Sequence, residues 1–396
     1  MLSRWIIFWG AAIAVGRVTV AGASGSDDLV YVKGSTTKVC QLTGDFDFTL
    51  GVPTLSRTGM RLGIVATDLG SSFEHKGKLY FLFGDTWGRP GDRDVLAWST
   101  ARHPDKISLD CWMAPDGKWS PLTIPGISQG AFEVPTGGVS VGGKMYVVFT
   151  TDHSETKTMG RSVLAVSQDD GKTFRSLYDL STNKFINVSL WPTRGWLYLF
   201  GSGDYRKSSV FLAKIKPGAI QDPSSLLYFS GVSANNKPCW SSWEEDAVPL
   251  FRHDVVGELS IAYCKPVRRY VMLYNSHEPY GIIMRSAETP WGPWSSGAII
   301  FEPTRDNGYG KFMHIPSGIN QKGDTFSDLN REEVQGGMYG PFIMSRFTSR
   351  ADGNCRIYYT MSTWNPYQVV VMRSDVKWYC PDPTTNSAAF PSMPRN

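Results

Sequence analysis

Two aspartates at one end of a predicted β-hairpin are the residues of this sequence best placed to do chemistry. Asp68 begins one apolar run, the chain turns at Lys76-Gly77, and Asp85 ends the second run. Because antiparallel strands joined by a tight turn bring the start of the first beside the end of the second, the two carboxylates should meet in space. Paired carboxylates are the usual equipment of glycoside hydrolysis. The alternative is a structural role, in which one or both aspartates bind the amides of turns.

The apolar strands around this hairpin belong to a pattern that recurs along the chain. Each unit has an apolar strand, a turn, a second strand rich in Tyr, Phe and Val, and a third with small polar residues. The units cover 64–99, 134–167, 185–214, 258–286 and 339–374. Five such units predict an all-β protein, a five-bladed β-propeller, whose ring closure protects sheet edges. A β-sandwich with an irregular domain is the second architecture.

One rim of such a propeller should collect titratable side chains, because ligands usually bind where the innermost strands converge. Aligning the units places these residues on one rim: Asp68, Asp85, Glu133, Asp152, Asp204, Glu258, His153 and His277. Crowded carboxylates split their pKa values, which leaves one protonated and another ionised. We predict Asp68 and Asp85 as the catalytic pair. Substrate-binding roles are predicted for Glu133, Asp152, His153, Glu258 and His277, with structural roles in turns and loops as the alternative.

Aromatic side chains at the same rim would suit a carbohydrate, since the C–H faces of sugars stack on flat rings. The candidates are Trp87, Tyr280, Tyr309, Tyr339, Trp364 and Tyr367. Of these, Trp87, Tyr339 and Trp364 are predicted to bind substrate. The alternative is packing in the core, where Tyr and Trp are common in propellers.

Composition and missing motifs narrow the choice of partners. The 396 residues include 41% hydrophobic and 19% charged residues, which is typical of a globular protein. The formal net charge of +4 gives no polybasic surface, so nucleic acid is not an expected partner. The sequence has no Asp-x-Asp-x-Asp-Gly loop, His-Glu-x-x-His motif, Gly-x-Ser-x-Gly elbow or phosphate loop. No metal and no cofactor are therefore expected, and a monomer is expected.

The N-terminus resembles a secretory signal, with Arg4, an apolar run from Trp5 to Gly16, and Ala21-Gly22-Ala23 as a cleavage site. We predict a signal peptide at 1–23, with an uncleaved anchor as the alternative, and a secreted, extracellular protein without a membrane span. The other predicted segments are an N-terminal extension at 24–53, the propeller at 54–380 and a C-terminal tail at 381–396.

Export would permit disulfides, and the chain has an even number of cysteines: Cys40, Cys111, Cys239, Cys264, Cys355 and Cys380. Up to three bonds are expected, with no connectivity fixed by sequence. A bond from Cys40 to Cys355 or Cys380 could join the two ends of the ring. Asn187 carries the one glycosylation sequon that we find, which lies too close to a predicted strand to be a good acceptor. Ser167–Phe174 matches the Asp-box pattern, a turn between the outer strands of a propeller blade.

Six motifs together resemble a known family. They are Asp68-Leu-Gly, Phe83-Gly-Asp85-Thr-Trp, Val134-Pro-Thr-Gly-Gly138, Gly257-Glu-Leu-Ser260, Tyr339-Gly-Pro-Phe342 and Ser362-Thr-Trp-Asn-Pro-Tyr-Gln-Val369. Between Thr54 and Val376 the chain resembles the domain-of-unknown-function 4185 family. Characterised members are five-bladed propellers of glycoside hydrolase family 183, with endo-D-arabinanase activity. The resemblance implies that Asp68 and Asp85 match the family's catalytic pair. The extra cysteines and the Asp-box depart from the characterised members.

These observations predict a secreted glycoside hydrolase that cleaves furanosyl, arabinan-like linkages in a polysaccharide, with Asp68 and Asp85 as general acid and base. Glu258 or Glu133 would tune a pKa or hold a sugar hydroxyl, and an inverting mechanism is preferred. The alternative from another class is a non-catalytic carbohydrate-binding propeller, such as a secreted lectin or effector, which would not need paired carboxylates. A third is a cell-surface interaction protein.

Overall fold

The computed structural model describes residues 29–318 and 322–378, whose strands form five antiparallel sheets arranged as the blades of a β-propeller. From the centre outward, blade 1 contains Ala66–His75, Lys78–Trp87, Val95–Ser99 and Asp110–Cys111. Blade 2 contains Pro135–Val141, Lys144–Thr151, Arg161–Ser167 and Arg175–Ser181. Blade 3 contains Asn187–Pro192, Leu197–Ser202, Val210–Ile215, Leu227–Val232 and Pro238–Ser241. Blade 4 contains Val256–Cys264, Arg269–His277, Tyr280–Ala287 and Ala298–Phe301. The predicted five-bladed fold is confirmed.

Blade 5 combines strands from both ends of the described chain. Its inner strands are Met338–Ile343, Asn354–Thr363 and Gln368–Trp378, with Ser349–Ala351 beside the second. Leu29–Tyr31 and Thr37–Gln41 both pair antiparallel with Gln368–Trp378. Residues 29–41, which the sequence analysis placed in an N-terminal extension, thus form the outer edge of the last blade. Met338–Ile343 also lies against Ala66–His75 of blade 1, so the ring is closed at its centre.

The remaining elements are short. A two-stranded hairpin, Phe46–Asp47 with Val52–Pro53, precedes the α-helix Thr58–Leu62. The 3-10 helices are Pro104–Lys106, Pro217–Ala219, Pro223–Ser225, Glu244–Asp246 and Ser345–Phe347. Among the helices of the described residues, none is long and apolar enough to cross a membrane.

The hydrophobic core is divided among the five interfaces between neighbouring blades. Between blades 1 and 2, for example, Phe73 and Leu82 pack with Val147 and Phe149, and all four side chains are buried. Each buried side chain of this size contributes about 1.5–3 kcal/mol relative to an exposed one. Because alternate residues of a strand point to opposite faces, each blade supplies side chains to two of these cores.

A glycine allows the innermost strands of blades 2 and 3 to approach closely. A Cβ on Gly137 would lie 2.4 Å from the backbone oxygen of Val188. That oxygen also accepts a hydrogen bond from the Thr136 hydroxyl at 3.3 Å. The Val134-Pro-Thr-Gly-Gly138 motif therefore has a packing reason, since a larger residue at 137 would push the two strands apart.

The segment with the Asp-box pattern connects the third and fourth strands of blade 2. Asp169 accepts hydrogen bonds from the Ser167 hydroxyl at 2.8 Å and from the Thr173 hydroxyl at 2.7 Å. The Gly171 amide donates to the Ser167 hydroxyl at 2.8 Å. These bonds fix a turn whose Phe174 side chain is buried in the core between blades 1 and 2.

The five described cysteines are unbridged, and Cys380 lies outside the described residues. Cys40 pairs with Val371 on one side of Gln368–Trp378, while Cys355 pairs with Val376 on the other. Two strand spacings alone separate them by about 9–10 Å, more than a disulfide can span. The suggested bond from Cys40 to Cys355 is therefore wrong.

Other predicted features lie outside the described residues or are buried. The signal peptide at 1–23 and the tail at 381–396 lie outside the described residues. Asn187 begins the innermost strand of blade 3 and is only 6% exposed. Its burial in the folded protein agrees with the expectation that this sequon is a poor acceptor.

Candidate active site

The hairpin of blade 1 brings Asp68 and Asp85 to the same cavity, which has a volume of about 460 Å³. Asp68 lies opposite Gly84 in the strand register, next to Asp85. A Cβ on Gly84 would lie 2.9 Å from Asp68 Oδ1, so glycine leaves room for this carboxylate. Asp85 has a φ of 36°, in the left-handed region that few residues other than glycine, Asn and Asp adopt. The strained backbone directs its side chain away from the regular alternation of the strand.

Two tyrosines bind one oxygen of Asp68. The hydroxyls of Tyr339 and Tyr367 donate to Asp68 Oδ2 at 2.8 and 2.7 Å. Asp68 Oδ1 is buried and has no hydrogen-bond partner. Burial raises the pKa of Asp68 to about 6, although the two tyrosine hydrogen bonds act in the opposite direction. Asp68 is therefore mainly ionised at neutral pH, with one oxygen held and the other free.

Asp85 has the higher pKa of the pair. Burial raises this pKa to about 8, followed by the charges of Asp68 and Asp92. Its Oδ1 is also buried without a partner. At neutral pH the pair thus consists of an ionised Asp68 and a protonated Asp85, which is the arrangement that acid and nucleophile or base chemistry requires.

The Tyr367 hydroxyl connects the two carboxylates. It lies 2.7 Å from Asp68 Oδ2 and 3.5 Å from Asp85 Oδ2. The two Oδ2 atoms therefore cannot be farther apart than the sum of these two distances. An approach this close is compatible with the roughly 5–5.5 Å between the carboxyl groups of retaining glycosidases, so a retaining mechanism is an alternative to the inverting one that the sequence analysis preferred.

Glu258 and Arg206 form an ion pair in the same cavity. Arg206 Nη2 donates to Glu258 Oε1 at 2.9 Å, and the Glu258 side chain is only 6% exposed. Burial alone would raise the pKa of Glu258, but the adjacent Arg206 outweighs it and holds that pKa below its ordinary value. The Arg206 guanidinium lies 4.7 and 5.2 Å from the ring centres of Tyr205 and Tyr339. Glu258 therefore stays ionised beside a fixed cation.

The most specific sequence motif holds this site together. The Ser362 hydroxyl accepts a hydrogen bond from the Leu69 amide at 2.7 Å, next to Asp68. The Tyr367 amide donates to Asp328 Oδ2 at 2.9 Å, which fixes the tyrosine to the loop before blade 5. The Ser362–Val369 segment thus positions both the backbone and the side chain of the Asp68 region.

Most of the predicted substrate-binding residues lie at this cavity. Glu258, His277, Tyr339 and Trp364 line it together with the two aspartates. Trp87 stacks on the lining residue Tyr367 at 5.3 Å between ring centres. Trp364 is 47% and Trp87 42% exposed, so both present ring surface to solvent at the mouth.

Besides Trp87, three predicted binding residues do not line the cavity. Glu133 accepts hydrogen bonds from the Ser128 hydroxyl at 2.6 Å and from the His153 amide at 2.9 Å, which secures a loop. Asp152 pairs with Arg161 at 2.6 Å. His153 is exposed, and its ring lies 5.0 Å from that of Phe132, which lines the cavity. The contacts of Glu133 and Asp152 fit the structural alternative.

Sequence reasoning missed Arg206, Tyr205, Phe132 and Asn275, which all line the cavity. Arg206 follows the predicted rim residue Asp204 by two positions, so a single cation in an otherwise acidic rim was the available signal. Asn275 was detectable only through packing. A Cβ on Gly257 would lie 2.2 Å from its Nδ2, which explains the glycine before Glu258.

Residues 29–318 and 322–378 contain no group of three or more His, Cys, Asp or Glu side chains that could hold a metal ion.

Comparisons with known proteins agree with this architecture. Residues 54–373 match the family described as "Domain of unknown function (DUF4185)". A candidate hydrolase from Bacteroides ovatus ATCC 8483 superposes with a TM-score of 0.54 at 13% identity, covering 84% of this chain and 90% of its own. This likeness concerns the fold. No curated protein matches the sequence.

Two further solved structures are less similar. An exo-β-1,3-galactanase from Phanerochaete chrysosporium, solved with β-1,3-galactotriose, has a TM-score of 0.49 at 9% identity and covers 86% of this chain and 64% of its own. The catalytic domain of a GH62 α-L-arabinofuranosidase from Coprinopsis cinerea has a TM-score of 0.43 at 11% identity and covers 86% and 95%.

Proposed function

The chain belongs to the DUF4185 family, and on that premise we propose that it is a glycoside hydrolase that cleaves furanosyl, arabinan-like linkages in a polysaccharide. One observation carries the proposal. Two buried carboxylates, connected by the Tyr367 hydroxyl, share one cavity at the mouth of the propeller and have pKa values of about 6 and about 8. Such a pair supplies an ionised and a protonated carboxyl group at the same pH.

The proposed mechanism assigns one role to each aspartate. Asp85 donates its proton to the glycosidic oxygen while Asp68 Oδ1, which no protein group binds, attacks the anomeric carbon. The hydroxyls of Tyr339 and Tyr367 hold the other oxygen and orient the carboxylate. Asp85, now ionised, then takes a proton from the water that releases the sugar. The overall result is retention of the anomeric configuration.

The mouth of the cavity supports a polysaccharide as the substrate. Trp87, Trp364, Tyr280 and Phe132 are each between 38% and 47% exposed around it. Flat rings in such positions can stack on several sugar units of one chain. The choice of a furanosyl, arabinan-like substrate rests on the family resemblance.

We also propose that the mature protein is secreted, with Cys264 and Cys355 forming a disulfide between blades 4 and 5. Both side chains are buried in the same hydrophobic core, and each thiol shifts the pKa of the other. Exchange with a disulfide donor would take two electrons and two protons from the two thiols. Mass spectrometry of unreduced peptides after thiol alkylation should find residues 264 and 355 linked. Alkylation of both cysteines in protein purified from the culture medium would contradict the bond.

The hydrolase proposal is tested by incubating the purified protein with D-arabinan, L-arabinan and arabinogalactan and measuring product sizes by mass spectrometry. Oligosaccharides should appear with the unaltered protein and with Asp152→Asn, because Asp152 lies outside the cavity. Asp68→Asn and Asp85→Asn should lower the rate by at least a thousandfold. Full activity in both cavity variants would reject the assignment, and retention of a glycan without cleavage would favour the carbohydrate-binding alternative.

A further inference from the structure

Four buried polar atoms without hydrogen-bond partners belong to side chains that line the cavity. They are Asp68 Oδ1, Asp85 Oδ1, Glu258 Oε2 and Arg206 Nε. Buried polar atoms in folded proteins are nearly always hydrogen-bonded, so a group of four in one place has a specific reason. The proposed mechanism uses the two aspartate oxygens, but it assigns nothing to Arg206 or Glu258.

The ion pair leaves one donor and one acceptor unused. Arg206 Nη2 and Glu258 Oε1 bind each other at 2.9 Å, and the Asn275 side chain also lowers the pKa of Glu258. Arg206 Nε and Glu258 Oε2 have no hydrogen-bond partner, so the first can still donate and the second can still accept. A hydroxyl group can accept from the first, and a second hydroxyl can donate to the other. Two neighbouring hydroxyls of a sugar ring present this combination within a short distance.

The pair is held rigidly and close to Asp68. The Tyr205 and Tyr339 rings flank the Arg206 guanidinium, with ring centres at 4.7 and 5.2 Å. Tyr339 also donates to Asp68 Oδ2 at 2.8 Å, so one side chain contacts both the arginine and the aspartate. Hydroxyls bound by the ion pair would therefore have a fixed position relative to Asp68 Oδ1.

The charge of the lining argues against an acidic sugar. The lining includes three carboxyl groups, from Asp68, Asp85 and Glu258, but only one guanidinium, that of Arg206. That cation is already paired with Glu258, so a uronate, sulfate or phosphate group would meet carboxylates without a free cation. An uncharged polyol avoids this repulsion.

We propose that Arg206 and Glu258 form a recognition pair that binds two neighbouring hydroxyl groups of an uncharged sugar unit next to Asp68. This inference rests on the proposed function, because it places the sugar unit at the reacting carboxylates. It adds a specificity-determining pair and excludes acidic glycans as substrates.

Binding without turnover tests the pair separately from catalysis. In an Asp85→Asn background, isothermal titration would be performed with arabino-, galacto- and xylo-oligosaccharides as neutral probes and with oligogalacturonate as the acidic probe. Arg206→Lys keeps the positive charge but lacks Nε, and Glu258→Gln keeps the shape but replaces an acceptor oxygen. Arg161→Lys is the matched control, because Arg161 pairs with Asp152 outside the cavity.

We expect at least one neutral probe to bind, Kd to rise at least tenfold in Arg206→Lys and Glu258→Gln, and Arg161→Lys to bind as the background does. Oligogalacturonate should not bind. A monodeoxy analogue of the bound sugar should bind the background protein more weakly but bind Arg206→Lys about as well as its parent sugar does. This comparison does not depend on small changes in the folding of a variant.

Unchanged Kd in both Arg206→Lys and Glu258→Gln would overturn the proposal, as would binding of oligogalacturonate or failure of every neutral probe to bind. The hydrolase proposal can fail separately. Arg206-dependent binding by a protein that cleaves none of these glycans would retain the recognition pair and reject catalysis. If the unaltered protein cleaves a glycan but Arg206→Lys and Glu258→Gln bind it as the background does, the hydrolase proposal would be retained and the recognition pair rejected.

Discussion

The different pKa values of the two aspartates follow from how each carboxyl group is surrounded. Asp68 receives two tyrosine hydrogen bonds, which stabilise its ionised form against the cost of burial. Asp85 has a 3.5 Å contact with Tyr367, faces the negative charges of Asp68 and Asp92, and shares a side-chain hydrogen bond with Asp92 that also raises its pKa. Burial acts on both, so the tyrosine hydroxyls and the neighbouring charges decide which one keeps its proton.

The pH dependence of activity should reflect this pair. Since Asp68 must be ionised and Asp85 protonated, kcat/KM should rise through a pKa of about 6 and fall through one of about 8. In Tyr367→Phe the acidic limb should move to higher pH, because a hydrogen bond that lowers the pKa of Asp68 is lost. The rate should fall roughly tenfold to a hundredfold, as expected for one hydrogen bond to a charged group. Tyr178→Phe is the control, because the Tyr178 hydroxyl donates to the Ile220 carbonyl and not to a carboxylate of the cavity. An acidic limb unmoved by Tyr367→Phe would contradict this role.

The raised pKa of Asp85 also makes a prediction about stability. The pKa of this carboxyl is about 8 in the folded protein and near 3.9 when unfolded, so the folded state binds the extra proton between these values. The contribution of the Asp85 carboxyl group to the free energy of unfolding is therefore complete below pH 4 and is lost as the pH rises through 8. Asp85→Asn, which imitates the neutral form, should therefore raise Tm at pH 8–9 by a few degrees and change it little at pH 4. Thermal unfolding at both pH values measures this, and a lower Tm at pH 9 would refute the argument.

Much of the site was predictable at the residue scale where strand geometry decides the position of a side chain. Asp68 and Asp85 follow from a hairpin, and both line the cavity. Where the chain leaves a strand, the prediction loses accuracy. Asp152 follows Lys144–Thr151 and Arg206 lies in the loop between Leu197–Ser202 and Val210–Ile215, so strand alternation does not fix the direction of their side chains. Asp152 consequently pairs with Arg161 outside the cavity, while Arg206 enters it.

Among the secondary-structure elements, the innermost strands of the blades tolerate substitutions least. Strands of neighbouring blades converge on the central channel, so a side chain there meets the backbone of the next blade. Sequence patterns located all five blades because their strands are apolar and separated by clear turns. They missed the pairing of Leu29–Tyr31 with blade 5, because three residues give too short a pattern to identify a strand.

A glycine substitution measures this packing. Gly137→Ala would place a Cβ 2.4 Å from the Val188 carbonyl oxygen, which is backbone and cannot move aside alone. We expect the free energy of unfolding to fall by about 1–3 kcal/mol, the usual cost of overpacking. Gly195→Ala is the matched control, since its Cβ would have no neighbour within 4 Å. Denaturant unfolding gives both values, and equal stability of the two variants would argue against the close approach.

At the scale of the whole molecule, strands from both ends of the described chain close the ring. The outer edge of blade 5 comes from residues 29–41 and its inner strands come from 338–378, so the two ends of the described chain stabilise each other. Thr36 adds a buried connection, because its hydroxyl donates to the Ile300 carbonyl of blade 4 at 2.6 Å. The cavity at the propeller mouth is lined by residues from all five blades and the loops beside them, so it depends on this closure.

Removing the closing strands should weaken the entire domain. In a chain that starts at residue 42, the outer edge of Gln368–Trp378 has no partner strand. Such an edge can pair with another chain, which makes the protein prone to aggregation. Compared with a chain that starts at residue 29, it should unfold at lower urea concentration and form oligomers during size-exclusion chromatography. Equal midpoints and a monomeric profile for both chains would contradict a closing role for residues 29–41.

The most direct test of the central claim is the configuration of the sugar that the protein first releases. Digestion of whichever arabinan the protein cleaves would be followed by proton NMR from the first minutes. Asp85→Asn and Asp152→Asn would be measured in parallel. The account predicts that the unaltered protein and Asp152→Asn release the retained anomer, whereas Asp85→Asn releases nearly none. Release of the inverted anomer, or unchanged release by Asp85→Asn, would contradict the assignment of Asp68 as nucleophile and Asp85 as acid.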